Sequence, residues 1–202
     1  MVKVKICGIT NLRDAEAAVA YGADALGFVF APSPRRVDSQ TVRAIAKKIG
    51  PYVTKVGVFV NASAEKILAT AASCRLDAVQ LHGDESPAQC QALKRYTLIK
   101  AFRVGRNFSP RITRRYPVDA YLLEADSSER GGTGKVWDWP KLRKIRFDKP
   151  VIVSGGLRPG NVRRAIRLLK PYAVDVSSGI ERTAGRKNHR LMKAFIRYAK
   201  GR

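Results

Sequence analysis

The chain has 202 residues, of which 45% are hydrophobic and 27% charged, a composition typical of a globular protein with an apolar core. Its 39 Lys and Arg residues against 16 Asp and Glu residues give a formal net charge of +23. No apolar run approaches the roughly 18 residues that cross a bilayer, and no apolar signal-peptide core is recognisable, so we expect a cytoplasmic protein without a membrane partner.

The positive charge is concentrated in residues 141–202, which carry 18 basic and 3 acidic side chains. A region of this kind could bind nucleic acid. Its basic residues, however, fall in helical patterns without the interleaved aromatic residues that base stacking requires. We therefore interpret the region as a solvated surface with nonspecific affinity for polyanions, and we expect no specific nucleic-acid partner.

The first predicted strand covers residues 2–7 and ends at a cysteine followed by glycine. Its alternation places Cys7 on the same face as Lys3 and Lys5. A lone cysteine is often only a small buried hydrophobe. The carboxyl end of a first strand is, however, the place where α/β folds carry their catalytic residues, so Cys7 is a candidate for chemistry.

Apolar runs then alternate with helical patterns along the whole chain. The predicted strands cover residues 2–7, 25–30, 55–60, 78–82, 98–104, 120–125, 150–153 and 173–176. The predicted helices cover 12–21 with Asn11 as cap, 39–49 with Ser39 as cap, 63–73, 86–95, 110–115, 138–145 and 159–169. A last helix begins near Asn188, and Leu191, Ala194, Phe195 and Tyr198 recur in it at helical spacing.

Eight such units of about 25 residues, with strands that are nearly all apolar, indicate parallel strands buried on both faces. That number favours a closed barrel over a doubly wound sheet. We therefore predict an α/β fold, a single-domain (β/α)8 TIM barrel that covers residues 1–202.

In such a barrel, the residues that end the strands line one mouth. These positions are polar here: Cys7, Asn61, Gln80, His82, Lys100 or Arg103, Glu124, Asp126 and Asp175. Two glycine-containing turns, Gly155-Gly156 and Ser178-Gly179, follow the seventh and eighth strands. They can bring backbone N–H groups close to an anion, aided by a short helix that begins near Gly179, so we predict a phosphate site there. The alternative is that these glycines only allow the chain to turn and bind no phosphate.

A thiol, a carboxylate across the mouth and a phosphate site suit proton abstraction next to a carbonyl or imine, with acid assistance at an oxygen. The three cysteines have no C-x-x-C spacing and are predicted to be free thiols. The two histidines are far apart in sequence and have no ligand set around them. We expect neither a metal nor a cofactor.

Six motifs, in this order, resemble those of the phosphoribosylanthranilate isomerase family of tryptophan biosynthesis. They are KICGIT at 5–10, VGVFVN at 56–61, VQLHG at 79–83, GGTGK at 131–135, SGGL at 154–157 and VDVSSG at 174–179. The resemblance implies a cofactor-independent Amadori rearrangement of N-(5-phosphoribosyl)anthranilate to 1-(2-carboxyphenylamino)-1-deoxyribulose 5-phosphate. It also implies a monomer or a homodimer, since the family includes both.

The resemblance implies roles for individual residues. Cys7 falls on the family's general base, and Lys5 on the same face could lower the pKa of the thiol. Arg36 falls on an arginine near the anthranilate carboxylate. Gln80, His82 and Asp175 fall on residues that orient ribose and anthranilate.

The general acid is the point where this chain departs from the family pattern. The family usually carries Leu-Leu-Asp at the end of the sixth strand, whereas this chain has Leu122-Leu123-Glu124. Counting back seven residues from Gly131 gives Glu124, so we predict Glu124 as the acid and keep Asp126 as the alternative.

Two other functions remain open at this point. One is another phosphate-binding barrel enzyme, such as a sugar-phosphate epimerase or indole-glycerol-phosphate synthase, against which the missing metal ligands and the missing catalytic lysine argue. The other is a basic nucleic-acid-binding protein on a barrel scaffold, which only the net charge of +23 favours.

Overall fold

Eight parallel strands close into a barrel. The computed structural model describes residues 1–105, 108–125, 142–143 and 145–201. Within these ranges each strand pairs with the next in sequence, and the eighth pairs with the first. This is the predicted (β/α)8 barrel. The predicted loop at 126–135 and most of the predicted helix at 138–145 lie outside the described residues.

The strands are close to those predicted. They are β1 Lys3–Cys7, β2 Ala25–Val29, β3 Thr54–Phe59, β4 Ala78–Leu81, β5 Thr97–Val104, β6 Ala120–Ala125, β7 Val151–Ser154 and β8 Ala173–Val176. A short antiparallel hairpin follows the barrel, formed by β9 Glu181–Thr183 and β10 Arg186–Lys187. No sequence pattern predicts this hairpin, because strands of two or three residues leave no periodic signal.

The helices lie between the strands. They are α1 Leu12–Ala20, α2 Ser39–Lys48, α3 Ala64–Cys74, α4 Pro87–Ala92, α5 Pro159–Leu169 and α6 His189–Ala199, with 3-10 turns at Pro110–Arg115 and Ser178–Ile180. Among the described residues, no helix is both long enough and apolar enough to cross a membrane.

Helix caps show where local prediction succeeds and fails. Asn11 caps α1 as predicted, because its side chain accepts a hydrogen bond from the backbone N–H of Asp14. The prediction of Ser39 as the cap of α2 is wrong. The carboxylate of Asp38 accepts from the backbone N–H of Thr41 at 2.7 Å, so the cap lies one residue earlier.

Strand alternation divides the apolar side chains into two groups. One group packs between the strands and the helices, and the other fills the barrel interior. The interior group consists of Val56, Ala78, Ile99, Ala101, Ala120, Leu122, Ile152 and Ala173. Two residues further along four of these strands, the same inward face carries polar side chains: Gln80, Glu124, Ser154 and Asp175. The polar mouth therefore lies directly above an apolar plug.

Of the four residues that recur at helical spacing in the last helix, only Phe195 is buried. Asn188 caps the helix, and its buried residues are Met192, Phe195, Ile196 and Ala199. Leu191, which the spacing placed with Phe195, is 38% exposed. The apolar stripe of α6 includes Leu191 as well as the buried residues, so tertiary contacts determine which of these side chains reach the core.

Two aliphatic residues of α6 give a matched stability test. Ile196→Ala should lower the free energy of unfolding by about 2–5 kcal/mol, because it leaves a cavity in the core. Leu191→Ala should lower it by less than about 1 kcal/mol, because the side chain already meets water. Urea unfolding followed by circular dichroism measures both. Equal losses would contradict the assignment of the buried face.

Candidate active site

A buried ion pair lies at the base of the mouth. Lys5 Nζ is 2.9 Å from Asp175 Oδ1, and Ser154 Oγ donates to Asp175 Oδ2 at 3.0 Å. Burial alone would lower the pKa of Lys5, but the charge of Asp175 and the thiol of Cys7 outweigh it and raise the pKa. Lys5 is therefore a permanent cation, and both oxygens of Asp175 are occupied.

Cys7 lies two residues beyond Lys5 on the same inward face and is 8% exposed. Burial raises the pKa of its thiol. Lys5 and Lys187 act in the opposite direction but do not outweigh burial. The predicted effect of Lys5, which is to lower the pKa of the thiol, is therefore present, but burial has the larger effect and the pKa of Cys7 is raised overall.

Gln80, His82 and Glu124 form a hydrogen-bonded chain across the mouth. Gln80 Nε2 is 2.8 Å from His82 Nδ1, and His82 Nε2 is 2.9 Å from Glu124 Oε2. A Gln80 amide that donates to Nδ1 leaves the imidazole proton on Nε2, which then donates to the Glu124 carboxylate. The side chains of His82 and Glu124 are 24% and 35% exposed, so this chain reaches solvent at the mouth.

Gln80 also carries a polar atom without a partner. The residue is 1% exposed, and its Oε1 accepts no hydrogen bond from any described residue. Ser177 Oγ, at the end of β8, is in the same situation. Buried polar atoms without partners are rare in folded proteins, so both indicate groups that a ligand would satisfy.

Of the two strand-five candidates, Arg103 belongs to the mouth and Lys100 does not. Arg103 follows Ile99 and Ala101 on the inward face of β5 and pairs in register with Glu124. Lys100 points the other way, where it forms a buried ion pair with Glu85 at 3.2 Å and donates to the carbonyl of Gly83 at 2.7 Å. Asp126, the alternative acid, lies outside the described residues.

Hydrogen bonds to the end of β3 and within the loop itself fix the loop after β4. Glu85 Oε1 accepts from the backbone N–H of Asn61 at 2.9 Å, and Asn61 Oδ1 accepts from the backbone N–H of Asp84 at 2.7 Å. Asn61, which the sequence placed at the mouth, therefore holds this loop. Since the loop begins at His82, these bonds also position the imidazole.

The loop after β2 carries two adjacent arginines with different surroundings. Arg36 is exposed, and its side chain makes no hydrogen bond or ion pair with another described residue. Arg35 is tied down, because it forms an ion pair with Glu181 at 2.7 Å. Arg36 is thus the residue of this pair that a ligand at the mouth could engage.

The two glycine-containing turns adjoin each other. Gly155 and Gly156 have φ values of 82° and 68°, in the left-handed region that favours glycine. Gly179 lies so close to the carbonyl oxygen of Leu157 that a Cβ atom at this position would collide with it. The predicted helix near Gly179 is only the three-residue 3-10 turn Ser178–Ile180. Backbone N–H groups of the two turns, and not a helix N-terminus, are therefore the groups available to an anion.

A second polar network, which no sequence pattern predicts, lies behind Cys7. Glu181 forms ion pairs with Arg35 at 2.7 Å and with Lys187 at 2.9 Å. Burial alone would raise the pKa of Glu181, but the hydrogen bonds from Arg35 and Lys187 outweigh it and lower the pKa. Glu181 is therefore a carboxylate that joins the loops after β2 and β8.

The fold and this mouth define a (β/α)8-barrel protein with a concave polar site at the carboxyl ends of its strands. Among the described residues, no group of three or more His, Cys, Asp or Glu could hold a metal ion. The family model described as N-(5'phosphoribosyl)anthranilate (PRA) isomerase matches residues 4–198. The chain belongs to this family.

Individual relatives are similar over the full length. The N-(5'-phosphoribosyl)anthranilate isomerase of Desulforudis audaxviator is 50% identical, with 99% of this chain and 98% of the relative covered. The crystal structure of phosphoribosyl anthranilate isomerase from Thermotoga maritima is 45% identical, with a TM-score of 0.87 and both chains covered completely. A crystal structure of the isomerase in complex with reduced 1-(o-carboxyphenylamino)-1-deoxyribulose 5-phosphate is 42% identical, with a TM-score of 0.84 and the same complete coverage.

The contact between Gly179 and Leu157 can be tested with two glycines. Gly179→Ala should lower the free energy of unfolding by about 1–3 kcal/mol, because the new methyl group meets a backbone carbonyl that cannot rotate away. Gly160→Ala is the control: a Cβ there meets nothing within 4 Å. Denaturant unfolding compares them, and equal stability of the two variants would contradict the close approach of the turns.

Proposed function

We propose that this protein catalyses the Amadori rearrangement of N-(5-phosphoribosyl)anthranilate to 1-(2-carboxyphenylamino)-1-deoxyribulose 5-phosphate in tryptophan biosynthesis. One observation carries the proposal: in a chain that matches the isomerase family throughout, the Cys7 thiol and the Glu124 carboxyl group face the same mouth. The isomerase structure that holds a reduced form of this product supports the same substrate class.

Glu124 is the general acid of this proposal. In its protonated form it gives its proton to the ribose ring oxygen, the bond from C1 to that oxygen breaks, and the anilino nitrogen lone pair forms the C1=N bond of a Schiff base. Glu124 becomes a carboxylate in this step. His82, 2.9 Å away, then donates a hydrogen bond to it, and a bond to an ionised acceptor is about twice as strong as one between neutral groups.

Cys7 is the general base. Its thiolate removes the proton from C2, and the electrons of the C–H bond form a C1=C2 double bond while the nitrogen recovers its lone pair. The resulting enolamine becomes the ketone when the C2 hydroxyl gives up its proton and C1 gains one. Burial raises the pKa of Cys7, so formation of the thiolate depends on the cations around it.

The remaining site residues bind the substrate in this proposal. The backbone N–H groups of Gly155, Gly156, Ser178 and Gly179 hold the phosphate. Arg36 pairs with the anthranilate carboxylate, which suits an exposed guanidinium that has no partner among the described residues. Gln80 Oε1 is free to accept a hydrogen bond from a ribose hydroxyl. Asp175 contributes indirectly. Its two carboxylate oxygens are already bound to Lys5 and Ser154, so it positions Lys5 instead of contacting the substrate.

The proposal extends to the organisation of the protein. Residues 1–202 form one domain that works in the cytoplasm without a cofactor, as a monomer or a homodimer. The family match over residues 4–198 and the barrel support one domain. The chemistry above requires only an acid, a base and a phosphate site, and this proposal assigns all three to residues of the chain.

The assignment of acid and base is tested by four variants. Cys7→Ala and Glu124→Gln should each lower turnover by at least about 10²-fold, the usual contribution of a positioned acid or base. Cys74→Ala, at the buried end of α3, is the matched thiol control and should retain activity. Asp126→Asn tests the alternative acid. Loss of anthranilate-type fluorescence, with the substrate generated in place, measures each rate.

Two outcomes would overturn these roles. Full turnover by Cys7→Ala would exclude the thiol as base. Full turnover by Glu124→Gln together with loss in Asp126→Asn would move the general acid to Asp126. Circular dichroism and thermal unfolding of each variant separate these results from misfolding.

The basic surface gives a further prediction about partners. No acidic residue occurs in α5 or α6, yet Arg163 and Arg197 lie 4.6 and 5.2 Å from the centre of the Tyr198 ring. The chain's own guanidinium groups thus occupy the ring that a base would stack on. Binding of DNA or RNA, followed by fluorescence anisotropy, should fall by orders of magnitude between about 50 and 200 mM salt. Sequence-selective binding that persists at about 150 mM salt would contradict this.

A further inference from the structure

Lys187 is a buried cation attached to the main chain of Cys7. It ends β10, and its side chain has no solvent exposure. Its ammonium group donates to the carbonyl oxygen of Cys7 at 2.6 Å and to that of Ser177 at 3.4 Å. The same group pairs with Glu181 at 2.9 Å. All three donor positions of the ammonium group are used, and two of them hold the ends of β1 and β8.

The charges around the thiol do not cancel. Below it lie Lys5 and Asp175, which form one ion pair. Behind it lie Arg35, Lys187 and Glu181, in which one carboxylate serves two cations. These five groups sum to one positive charge. Deprotonation of Cys7 makes the cluster neutral, whereas without Lys187 the thiolate would be an uncompensated charge.

The other neighbouring charges do not change this count. Asp14 of α1 accepts a hydrogen bond from the backbone N–H of Lys187 at 2.9 Å and pairs with His189 at 2.8 Å. Neither Asp14 nor His189 is among the charged groups that act most strongly on the thiol, which are Lys5, Asp175 and Lys187. Arg35 interacts with the thiol as well.

We propose that Lys187 is a positioning residue for Cys7, which holds the main chain of Cys7 through its carbonyl oxygen and supplies the positive charge that compensates the thiolate. The inference rests on the proposed role of Cys7 as base. It assigns a function to a lysine that does not face the mouth and that touches no substrate. Glu181 opposes it electrostatically, whereas the carbonyl oxygens of Cys7 and Ser177 hold the ammonium group in place independently of Glu181.

The test reads the thiol directly and without substrate. The rate of Cys7 alkylation by iodoacetamide is measured against pH by mass spectrometry of the peptide that contains Cys7. Cys7 is 8% exposed, whereas Cys74 and Cys90 are fully buried, so the reaction is selective in the folded protein. Because no turnover is involved, the result stands even if Cys7 proves not to be the base.

A series of charge variants should move the midpoint of this pH curve in both directions. Lys187→Met should raise it by about one pH unit, a tenfold lower thiolate fraction at neutral pH. Glu181→Gln should lower it, because a second positive charge is then uncompensated. The double variant restores the sum of one positive charge and should return close to the wild-type midpoint. The rising limb of kcat/KM against pH should shift in the same order.

Lys55→Met is the matched control, because Lys55 is also a buried lysine with a carboxylate partner, Asp77, but lies at the start of β3. It should leave the alkylation midpoint unchanged. If Lys187→Met does not fold, the double variant takes its place, because it removes both charges of the pair and leaves no unpaired buried charge. The test is then the difference in alkylation midpoint between the double variant and Glu181→Gln. Equal midpoints in all folded variants would overturn the proposal. A shifted midpoint with full turnover by Cys7→Ala would instead overturn only the role of Cys7 as base.

Discussion

The ion pair between Lys5 and Asp175 determines the geometry of the mouth. It joins β1 to β8, the two strands whose pairing closes the barrel, and Ser154 connects it to β7. Buried charges are tolerated only when they are paired and hydrogen-bonded, so the three strand ends are held in one arrangement. Two residues above Lys5 lies Cys7, and directly above Ser154 and Asp175 lie the turns proposed to hold phosphate. One interaction thus sets the base relative to the phosphate site.

Buried ion pairs between a lysine and a carboxylate also occur at two other places near the mouth. Lys100 and Glu85 hold the loop that begins at His82, and Lys187 and Glu181 hold the ends of β1 and β8. Lys100 and Lys187 also donate to main-chain carbonyl oxygens at the ends of strands, those of Gly83 and Cys7, which a purely apolar filling could not do. The barrel below the mouth consists of small and branched apolar residues, so rigidity at the reacting atoms comes from these charged networks.

Sequence patterns predicted the eight strands, because each is an apolar run bounded by turns. The rule that strand ends line the mouth of such a barrel then predicted Cys7, Gln80, Glu124 and Asp175 as mouth residues. The network behind Cys7 could not be predicted. Its partners are 146 and 180 positions apart in the chain, and Lys187 occurs in a basic stretch that is typical of a solvated surface. The direction in which the pKa of the Cys7 thiol shifts could not be predicted from the sequence either, because it depends on whether the effect of burial or that of the neighbouring cations is larger.

The central claim is that one mouth holds the phosphate, the base and the acid in fixed relation. The most direct measurement is a crystal structure of this protein with the reduced product 1-(o-carboxyphenylamino)-1-deoxyribulose 5-phosphate. We expect the phosphate on the turns at Gly155-Gly156 and Ser178-Gly179, with the Cys7 sulfur about 3–3.5 Å from C2 of the sugar chain and Glu124 near its oxygens. A phosphate bound elsewhere, or a Cys7 remote from C2, would contradict it.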